Sequence, residues 1–417
     1  MRTLVLHPHF NDRDTRRAPE NALDEAVALA DALDLEIMGA EVVTLNSIRA
    51  ATLIGTGKLA EIHEKIEADE IGLVIVDGPL SPIQQRNLER EWKVKVLDRT
   101  GLILEIFGDR AATREGVLQV QLAHLSYQKS RLVRSWTHLE RQRGGVGFMG
   151  GPGETQIEAD RRALDEQITR LKRQLEKVVR TRTLHRKARK KVPFPIVALV
   201  GYTNAGKSSL FNRLSGADVL AKDMLFATLD PTMRAIELEN GRKVIMSDTV
   251  GFISDLPTQL VAAFRATLEE VLDADLILHV RDVAHPETEE QKADVEAILT
   301  ALGVDETRPM LEVWNKIDLL DDAARQAHEA VAERDENVVA ISASTGAGLD
   351  TLVEAMEEQL MGVRSEDELK LGPTEGAKRA WLYAHHLVTD ERHDGERSVL
   401  NVSWTEKDKA QFEKLSS

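Results

Sequence analysis

The chain has 417 residues, which is enough for two to four domains that each bury a core. It contains no cysteine, which excludes disulfide bonds, thiolate metal sites and cysteine nucleophiles. The formal net charge of −16 argues against a nucleic-acid partner unless positive charge is concentrated in one segment. No apolar run reaches the ~18 residues that span a bilayer, and the first residues are typical of a strand. We expect a monomeric cytoplasmic protein without a membrane anchor, with peripheral membrane attachment as the alternative.

Residues 1–112 are predicted to form an N-terminal α/β domain. Apolar periodicity predicts strands at 3–7, 71–77 and 93–98, and helices at 21–33 and 81–92. Between them, the segment Gly55-Thr-Gly-Lys58 lacks the spacing of a phosphate-binding loop and a hydroxyl residue after the lysine. It is predicted to be a turn or helix start, and a weak second nucleotide site is the alternative.

Residues 113–191 are predicted to form a basic helical hairpin. Two apolar stripes with helical spacing support it, one from Leu118 to Leu139 and one from Leu164 to Val178. The loop between the stripes has six glycines in ten residues, from 144 to 153. From residue 129 to residue 191 there are eighteen Lys and Arg against seven Asp and Glu, an excess of eleven positive charges. The segment 129–191 is therefore predicted to bind RNA phosphates, and a solvated helix face with a linker is the alternative.

A third domain is predicted at 192–362, and it begins with a strand, a glycine-containing loop and a helix. The loop has the pattern G-x-x-x-x-G-K-S, which in this context binds phosphate through backbone N–H groups and the helix N-terminus. Lys207 is expected to reach the β- and γ-phosphates, and Ser208 is expected to bind Mg²⁺. The predicted nucleotide contacts in this loop are Gly201, Tyr202, Thr203, Asn204, Ala205, Gly206, Lys207 and Ser208.

Two later segments of this domain are predicted to complete the phosphate and metal site. In Asp248-Thr249-Val250-Gly251 the carboxylate is expected near Mg²⁺ through a water, and the Gly251 N–H is expected to sense the γ-phosphate. In Phe226-Ala227-Thr228-Leu229-Asp230 the Thr228 hydroxyl is expected to complete the Mg²⁺ shell while the γ-phosphate is present. Lys207, Thr228 and Gly251 are the predicted catalytic groups.

The base is predicted from Asn315-Lys316-Ile317-Asp318, which directly follows an apolar strand. The Asp318 carboxylate can accept hydrogen bonds from guanine N1–H and the 2-amino group, a pair that adenine lacks. Asn315 is expected at the O6/N7 edge of the base, and the Lys316 stem is expected to pack on the ring. Ser342-Ala343-Ser344 is expected to offer a backbone N–H to guanine O6. All five motifs in this order predict a GTPase with Mg²⁺ as cofactor, GTP as substrate and GDP as product.

The remaining elements predict the fold class. Strands are expected near 196–201, 234–239, 242–248, 275–281, 309–314 and 337–342. Helices between most of them indicate a doubly wound, mostly parallel sheet, so the whole chain is predicted to be α/β. The tail, 363–417, is predicted to be a small α+β domain with strands at 379–385 and 397–404 and a helix at 406–415. His385 and His386 are predicted to be strand residues and not metal ligands.

The motifs, together with the basic hairpin and Glu154-Thr-Gln-Ile-Glu158, resemble those of the HflX family within the translation-factor-related GTPases. The resemblance implies a GTPase that binds the large ribosomal subunit and its rRNA, with the N-terminal region reaching toward the peptidyl transferase centre. It also implies a role in splitting or rescuing stalled or dormant ribosomes. Arg281 departs from the family pattern, because an apolar residue is expected there.

The mechanism and the competing functions rest on a few further residues. Phe252 takes the position of a water-orienting glutamine, so hydrolysis is expected to be slow without a partner. Asn204 resembles an asparagine that in some GTPases accompanies K⁺, and a purely structural role is the alternative. The alternative function is an RNA chaperone or helicase driven by ATP at the N-terminal domain and regulated by GTP. A signalling or tRNA-modification GTPase is a further alternative, although the latter normally uses a C-terminal cysteine.

Overall fold

In a computed structural model, the described residues are 1–10, 17–142, 152–189, 194–216, 225–226, 232–238, 241–254, 270–305, 308–361, 365–372, 375–385, 387–394, 397–404, 409 and 412. Residues Met1–Leu349 form one compact unit, and residues Asp350–Ser417 form a second. Four predicted features lie outside the described residues: the loop 144–151, residues 227–230, His386 and most of the predicted helix 406–415.

The chain begins with a four-stranded parallel sheet whose strand order is β2-β1-β3-β4. The strands are β1 (Arg2–Phe10), β2 (Glu36–Leu45), β3 (Leu73–Val76) and β4 (Lys95–Asp98). The helices are α1 (Pro19–Asp31), α2 (Thr56–Ala68), α3 (Pro82–Trp92) and α4 (Arg99–Arg110). The predicted strands and helices are confirmed, but β2 and α4 were not predicted. Strand β2 is mostly half-buried and has no clear alternation, which explains why its pattern was missed.

The segment Gly55–Lys58 starts a helix, as predicted. Gly55 is the residue before α2, and Lys58 lies in the first turn. Its Nζ is 2.8 Å from Oε1 of Glu61 and 3.4 Å from Oε2 of Glu41. The ammonium group that a phosphate would need is therefore paired with two carboxylates of the same domain.

Two long helices follow, α5 (Arg114–Gln142) and α6 (Pro152–Arg189). They pack against each other, with Ile168 of α6 buried and Lys129 of α5 paired with Asp165 of α6. The prediction of a helical hairpin is confirmed for its two arms. Within the part of the chain that the structure describes, no helix is long and apolar enough to cross a membrane.

The second sheet has six strands in the order β10-β9-β8-β5-β7-β6. The strands are β5 (Ile196–Gly201), β6 (Thr232–Glu237), β7 (Lys243–Asp248), β8 (Leu276–Asp282), β9 (Met310–Asn315) and β10 (Val338–Ala340). All pairs are parallel except β6 with β7. The helices are α7 (Lys207–Ser215), α8 (Thr288–Leu302) and α9 (Asp322–Ala332). Because β5, β7, β8 and β9 are parallel, their carboxyl ends meet at one edge, where ligands bind in such sheets.

The second unit contains a three-stranded antiparallel sheet in the order β11-β13-β12. Its elements are α10 (Leu349–Met361, all but its first residue), β11 (Ser365–Leu371), α11 (Gly376–Ala384), β12 (Val388–Asp394) and β13 (Arg397–Trp404). The predicted strand at 379–385 is wrong, because helix α11 covers most of it. Trp381 and His385 stack four positions apart with ring centres at 4.1 Å, a contact that helical spacing allows and an extended strand does not.

Candidate active site

The loop from Gly201 to Ser208 connects β5 to α7 at the carboxyl edge of the six-stranded sheet. Gly201 has a φ of +150° and Gly206 a φ of +93°, conformations that other residues rarely adopt. A Cβ atom on Gly201 would lie 2.2 Å from the carbonyl oxygen of Val280, and one on Gly206 would lie 2.1 Å from Nδ2 of Asn315. Both positions therefore require glycine for backbone conformation and for space.

The side chain of Lys207 is buried inside this loop. Its Nζ donates hydrogen bonds to the carbonyl oxygens of Gly201 at 3.1 Å and of Tyr202 at 2.6 Å. Burial lowers the pKa of Lys207 to about 8, against the opposing effect of the Asp248 carboxylate. The loop thus holds a cation that is costly to keep charged until an anion arrives.

Ser208 and Asp248 lie together where the sequence predicts Mg²⁺. The Ser208 hydroxyl donates to Oδ2 of Asp248 at 2.7 Å, and Asp248 is fully buried. Next to it, the Thr249 hydroxyl donates to the carbonyl oxygen of Leu199 at 2.6 Å, which fixes the end of β7 to β5. A hydroxyl and a carboxylate oxygen are the ligands that Mg²⁺ prefers, so this pair fits the ion. The third predicted ligand, Thr228, lies outside the described residues.

Gly251 packs directly against the phosphate-binding loop. A Cβ atom there would lie 2.8 Å from Cγ2 of Thr203 and 3.0 Å from Nζ of Lys207. The next residue, Phe252, extends the sheet: its N–H donates to the carbonyl oxygen of Gly201 at 3.1 Å. The ring of Phe252 is 1% exposed and carries no polar atom, so it has no means of orienting a water molecule. Val250, which precedes Gly251, is also buried.

Asn315 ties together the loops that surround the site. Its Nδ2 donates to the carbonyl oxygen of Ala205 at 2.8 Å, and its Oδ1 accepts from the backbone N–H of Ala343 at 2.9 Å. The residue is 2% exposed. In the structure this amide joins the phosphate-binding loop to the segment after β10, and its predicted contact with the base stays a prediction. Asn315 thereby fixes the distance between these two segments.

The surroundings of Asp318 favour its ionised form, the form that can accept hydrogen bonds from a base. Hydrogen bonds from Ser342 and Ser344 hold the pKa of its carboxyl below the usual range. The Ser344 hydroxyl donates to Oδ2 of Asp318 at 3.1 Å. Lys316, two residues earlier, has a φ of +69° and places its Nζ 2.8 Å from Oδ2 of Asp282. Between them, the Ile317 side chain is buried.

The Tyr202 side chain is directed to the N-terminal part of the chain. Its hydroxyl accepts from the backbone N–H of Ser254 at 2.7 Å and bonds to Oε2 of Glu25 on α1. Arg99, the first residue of α4, donates to the carbonyl oxygen of Ser254 at 2.9 Å and pairs with Glu25. Although burial opposes ionisation, Arg99 also holds the pKa of Asp77 below its usual range. Sequence reasoning missed Glu25, Arg99 and Ser254, because no local motif marks them.

Phe226 and Asn204, two further residues that were predicted to contact the nucleotide, are both described by the structure. Phe226 is buried, with a φ of +56°, and its ring packs edge-on against Phe107 of α4 at a centroid distance of 4.7 Å. Asn204, the residue predicted to accompany K⁺, is exposed and has a φ of +60°. Helix α4 therefore contacts two segments that follow the phosphate-binding loop in the chain, at Phe226 and at Ser254.

Arg281 is accommodated by opposite charges. Its guanidinium is 2.7 Å from Oε2 of Glu312 and 2.5 Å from Oε1 of Glu289. Although burial opposes ionisation of Glu312, hydrogen bonds from Lys292 and Arg281 lower its pKa to about 2. An apolar residue was expected at 281; the buried guanidinium of Arg281 is instead paired with Glu312 of β9 and with the exposed Glu289 of α8.

The basic segment 129–191 is divided between internal contacts and exposed charge. Lys129 pairs with Asp165, and Arg131 pairs with Asp98 at the end of β4. Among the residues of α6 whose side chains the structure describes, the exposed cations are Arg161, Arg162, Arg170, Lys172, Arg173, Lys177 and Arg180. In the described part of the segment, the exposed positive charge therefore lies on α6. Among the described residues, no cluster of three or more His, Asp or Glu could hold a metal ion.

Four family models match the chain in sequence order. They are described as the N-terminal region of a GTP-binding GTPase (20–108), its middle region (110–189), a 50S ribosome-binding GTPase (196–316) and the HflX C-terminal domain (327–415). Together they cover nearly the whole chain.

Full-length relatives are similar to the chain over almost its whole length. A GTPase HflX of Magnetococcus marinus is 50% identical over 398 residues, 95% of this chain and 91% of the relative. A GTPase HflX of Escherichia coli K12 is 45% identical over 401 residues, with the same two shares. A solved GTP-binding protein of the archaeon Sulfolobus solfataricus, in complex with GDP, is 26% identical with a TM-score of 0.45, covering 86% of this chain and 99% of that chain.

Proposed function

The chain belongs to the HflX family of GTPases, and from this membership and its site we propose that it hydrolyses GTP in association with the large ribosomal subunit. Within that role, we propose that it splits or rescues stalled or dormant ribosomes. The observation that carries the nucleotide assignment is the position of Asn315 between Ala205 and Ala343, with the ionised Asp318 beside it. This arrangement supports a site of fixed length with a phosphate end and a guanine end.

At the phosphate end of the site, the backbone of the loop and the side chain of Lys207 would stabilise the negative charge of the phosphates. Backbone N–H groups at the start of α7 and the buried ammonium of Lys207 would bind the β- and γ-phosphates. Ser208 and Asp248 would hold Mg²⁺, which neutralises charge that develops on the phosphates. The same site in some GTPases uses K⁺ next to an asparagine, and we propose Asn204 for that role. Equal hydrolysis rates in Na⁺ and K⁺ at matched ionic strength would remove the proposal for Asn204.

Hydrolysis is proposed to depend on the ribosome. The buried ring of Phe252 occupies the place from which a glutamine would orient the attacking water, so the chain alone lacks that group. The test is phosphate release from GTP by the purified protein, with and without saturating large subunits. We expect a stimulation of at least tenfold, and equal rates in the two conditions would contradict the proposal.

The exposed cations of α6 support an rRNA contact. Arg170 and Arg173 lie on exposed positions of this helix, where a guanidinium can bind phosphate with two N–H groups. The variant Arg173→Glu is expected to weaken co-sedimentation with large subunits in the presence of a non-hydrolysable GTP analogue. Arg334→Glu, a charge reversal on an exposed residue of the second sheet's domain, serves as the matched control and should sediment as the unaltered protein.

Ribosome splitting is tested separately from binding. Light scattering of intact ribosomes should fall when the protein is added with GTP, and it should stay constant with GDP. If the protein binds large subunits but light scattering changes with neither nucleotide, the proposal of GTP-dependent association is retained and the proposal of splitting is contradicted.

A further inference from the structure

Asp282 and Lys316 form an ion pair at the guanine end of the site. Asp282 is the last residue of β8, and Lys316 directly follows β9. The two strands are in register with Asp282 opposite Asn315, so the two side chains start from adjacent strand ends. Nζ of Lys316 lies 2.8 Å from Oδ2 of Asp282, and the side chains are 23% and 15% exposed.

The carboxylate of Asp282 is fixed before it meets the lysine. Its Oδ1 accepts from the backbone N–H of Ala284 at 3.1 Å, which closes a turn of the Asx type. The N–H of Val283 donates to the carbonyl oxygen of Asn315 at 3.2 Å, so this turn is also attached to β9. One carboxylate oxygen therefore builds the backbone turn, and the other is directed at Lys316.

Lys316 needs such a partner more than most lysines do. Its four-carbon stem has many rotamers, and ordering them costs entropy that must be recovered on binding. Its backbone is already in the left-handed region, at a φ of +69°, which sets the direction in which the stem leaves the chain. With the ammonium held by Asp282, the stem is restricted to paths that connect residue 316 to the end of β8. A stem ordered before the ligand arrives loses less entropy when a base packs on it.

We propose that Asp282 is a positioning residue for guanine recognition, acting through the ammonium group of Lys316. The proposal rests on the proposed guanine site at Asp318 and names a residue that supports it from a different strand. Asp282 contacts no nucleotide atom in this scheme; it sets where the apolar stem of Lys316 lies when the base enters.

The first test is the variant Asp282→Asn. The amide oxygen of asparagine can still accept from Ala284, so the turn is kept while the charge is removed. We expect the Kd for GDP and the KM for GTP to rise about tenfold and kcat to change less than twofold. Simple electrostatics predicts the opposite direction, because removing a negative charge should favour an anionic nucleotide. The control Glu296→Gln removes a half-exposed carboxylate of α8 and should leave both constants unchanged. An unchanged or lower Kd in Asp282→Asn would overturn the proposal.

The second test separates positioning from a purely structural role. Lys316→Met keeps an apolar stem and removes the ammonium, so Asp282→Asn should have no additional effect on the Kd for GDP in that background. A full tenfold effect in both backgrounds would show that Asp282 acts through its turn and would overturn the proposal. Inhibition by inorganic triphosphate, which has no base, should be equal in the unaltered protein and in Asp282→Asn. If the unaltered protein does not hydrolyse GTP at all, the proposed function fails, whatever these comparisons give.

Discussion

The Tyr202 hydroxyl accepts a hydrogen bond from the backbone N–H of Ser254 at 2.7 Å, and it lies 2.8 Å from the Ser254 hydroxyl oxygen. The bond joins the phosphate-binding loop to the segment that follows Gly251. Ser254 is held from two other sides as well, by Arg99 of α4 and by Asp294 of α8, whose Oδ2 is 2.6 Å from its hydroxyl. The position of the Gly251 N–H therefore depends on residues of the first sheet's domain.

Replacing Tyr202 with Phe tests the strength of this junction. The ring is retained, but the buried N–H of Ser254 and the carboxylate of Glu25 each lose a partner, and burial has already raised the pKa of Tyr202 so that it serves as a neutral hydroxyl. We expect the free energy of unfolding to fall by about 1–3 kcal/mol in urea titrations. The control Tyr383→Phe removes a hydroxyl from a half-exposed side chain, where water can replace its hydrogen bond to Glu391, and should change the free energy of unfolding by less than about 0.5 kcal/mol. Equal stability of the two variants would contradict the prediction.

Nucleotide affinity should fall as pH rises through the pKa of Lys207. Burial lowers this pKa to about 8, so above that pH an increasing share of the Lys207 side chains is uncharged. A phosphate selects the ammonium form, and the apparent Kd for GDP is expected to rise by up to about tenfold per pH unit above 8. Titrations with fluorescent GDP at pH 7, 8 and 9 measure this. Lys207→Arg stays protonated and should lose the dependence; a flat profile in the unaltered protein would be the contrary result.

Gly251→Ala should separate hydrolysis from binding of the diphosphate. The added Cβ would lie 2.8 Å from Cγ2 and 2.9 Å from Cα of Thr203, so the segment must move away from the loop. Because the Gly251 N–H is predicted to bind the γ-phosphate, displacing it is expected to lower kcat by about tenfold or more. GDP has no γ-phosphate to lose this contact, so the variant should bind it with an affinity within about threefold of that of the unaltered protein. Gly57→Ala, where a Cβ meets nothing within 4 Å, is the control; retained kcat in Gly251→Ala would refute the expected role.

Acid should destabilise the protein through His279. This residue is 1% exposed, and its Nδ1 has no hydrogen-bond partner among the described residues. Burial lowers its pKa from 6.5 to about 4, so between these values the unfolded chain binds a proton that the folded chain does not. The free energy of unfolding should therefore decrease by up to about 3 kcal/mol as pH falls from 6.5 to 4. Urea titrations at pH 7 and 5 measure the free energy of unfolding. In His279→Leu, the decrease between pH 7 and pH 5 should be smaller by the amount that His279 contributes.

The sequence predicted the second sheet better than the tail. Apart from β6, the strands β5 to β10 carry apolar runs that end in polar motifs, and such runs are typical of a buried parallel sheet. In the tail, Arg379–His385 contains both aromatic and alanine residues, and the aromatic residues favoured a strand. In the structure this segment is a helix, which the alanines favour and the contact of Trp381 with His385 stabilises. The contact could not be predicted from the sequence, because it exists only once the helix has formed. The strand β11, which is largely charged, gave no apolar signal at all.

By itself, the sequence determined the order of strand, loop and helix at Gly201–Ser208 and the presence of an aspartate at 318. These are local features, because backbone conformation and the spacing of a few side chains fix them. Only the tertiary structure decided that Tyr202 bonds to Glu25, which lies 177 positions away in the chain, and that Arg99 holds Ser254 across 155 positions. It also decided that Asp282 meets Lys316. Such contacts have no local pattern, since a hydrogen bond or ion pair depends on where the packing of two sheets and their helices brings the atoms.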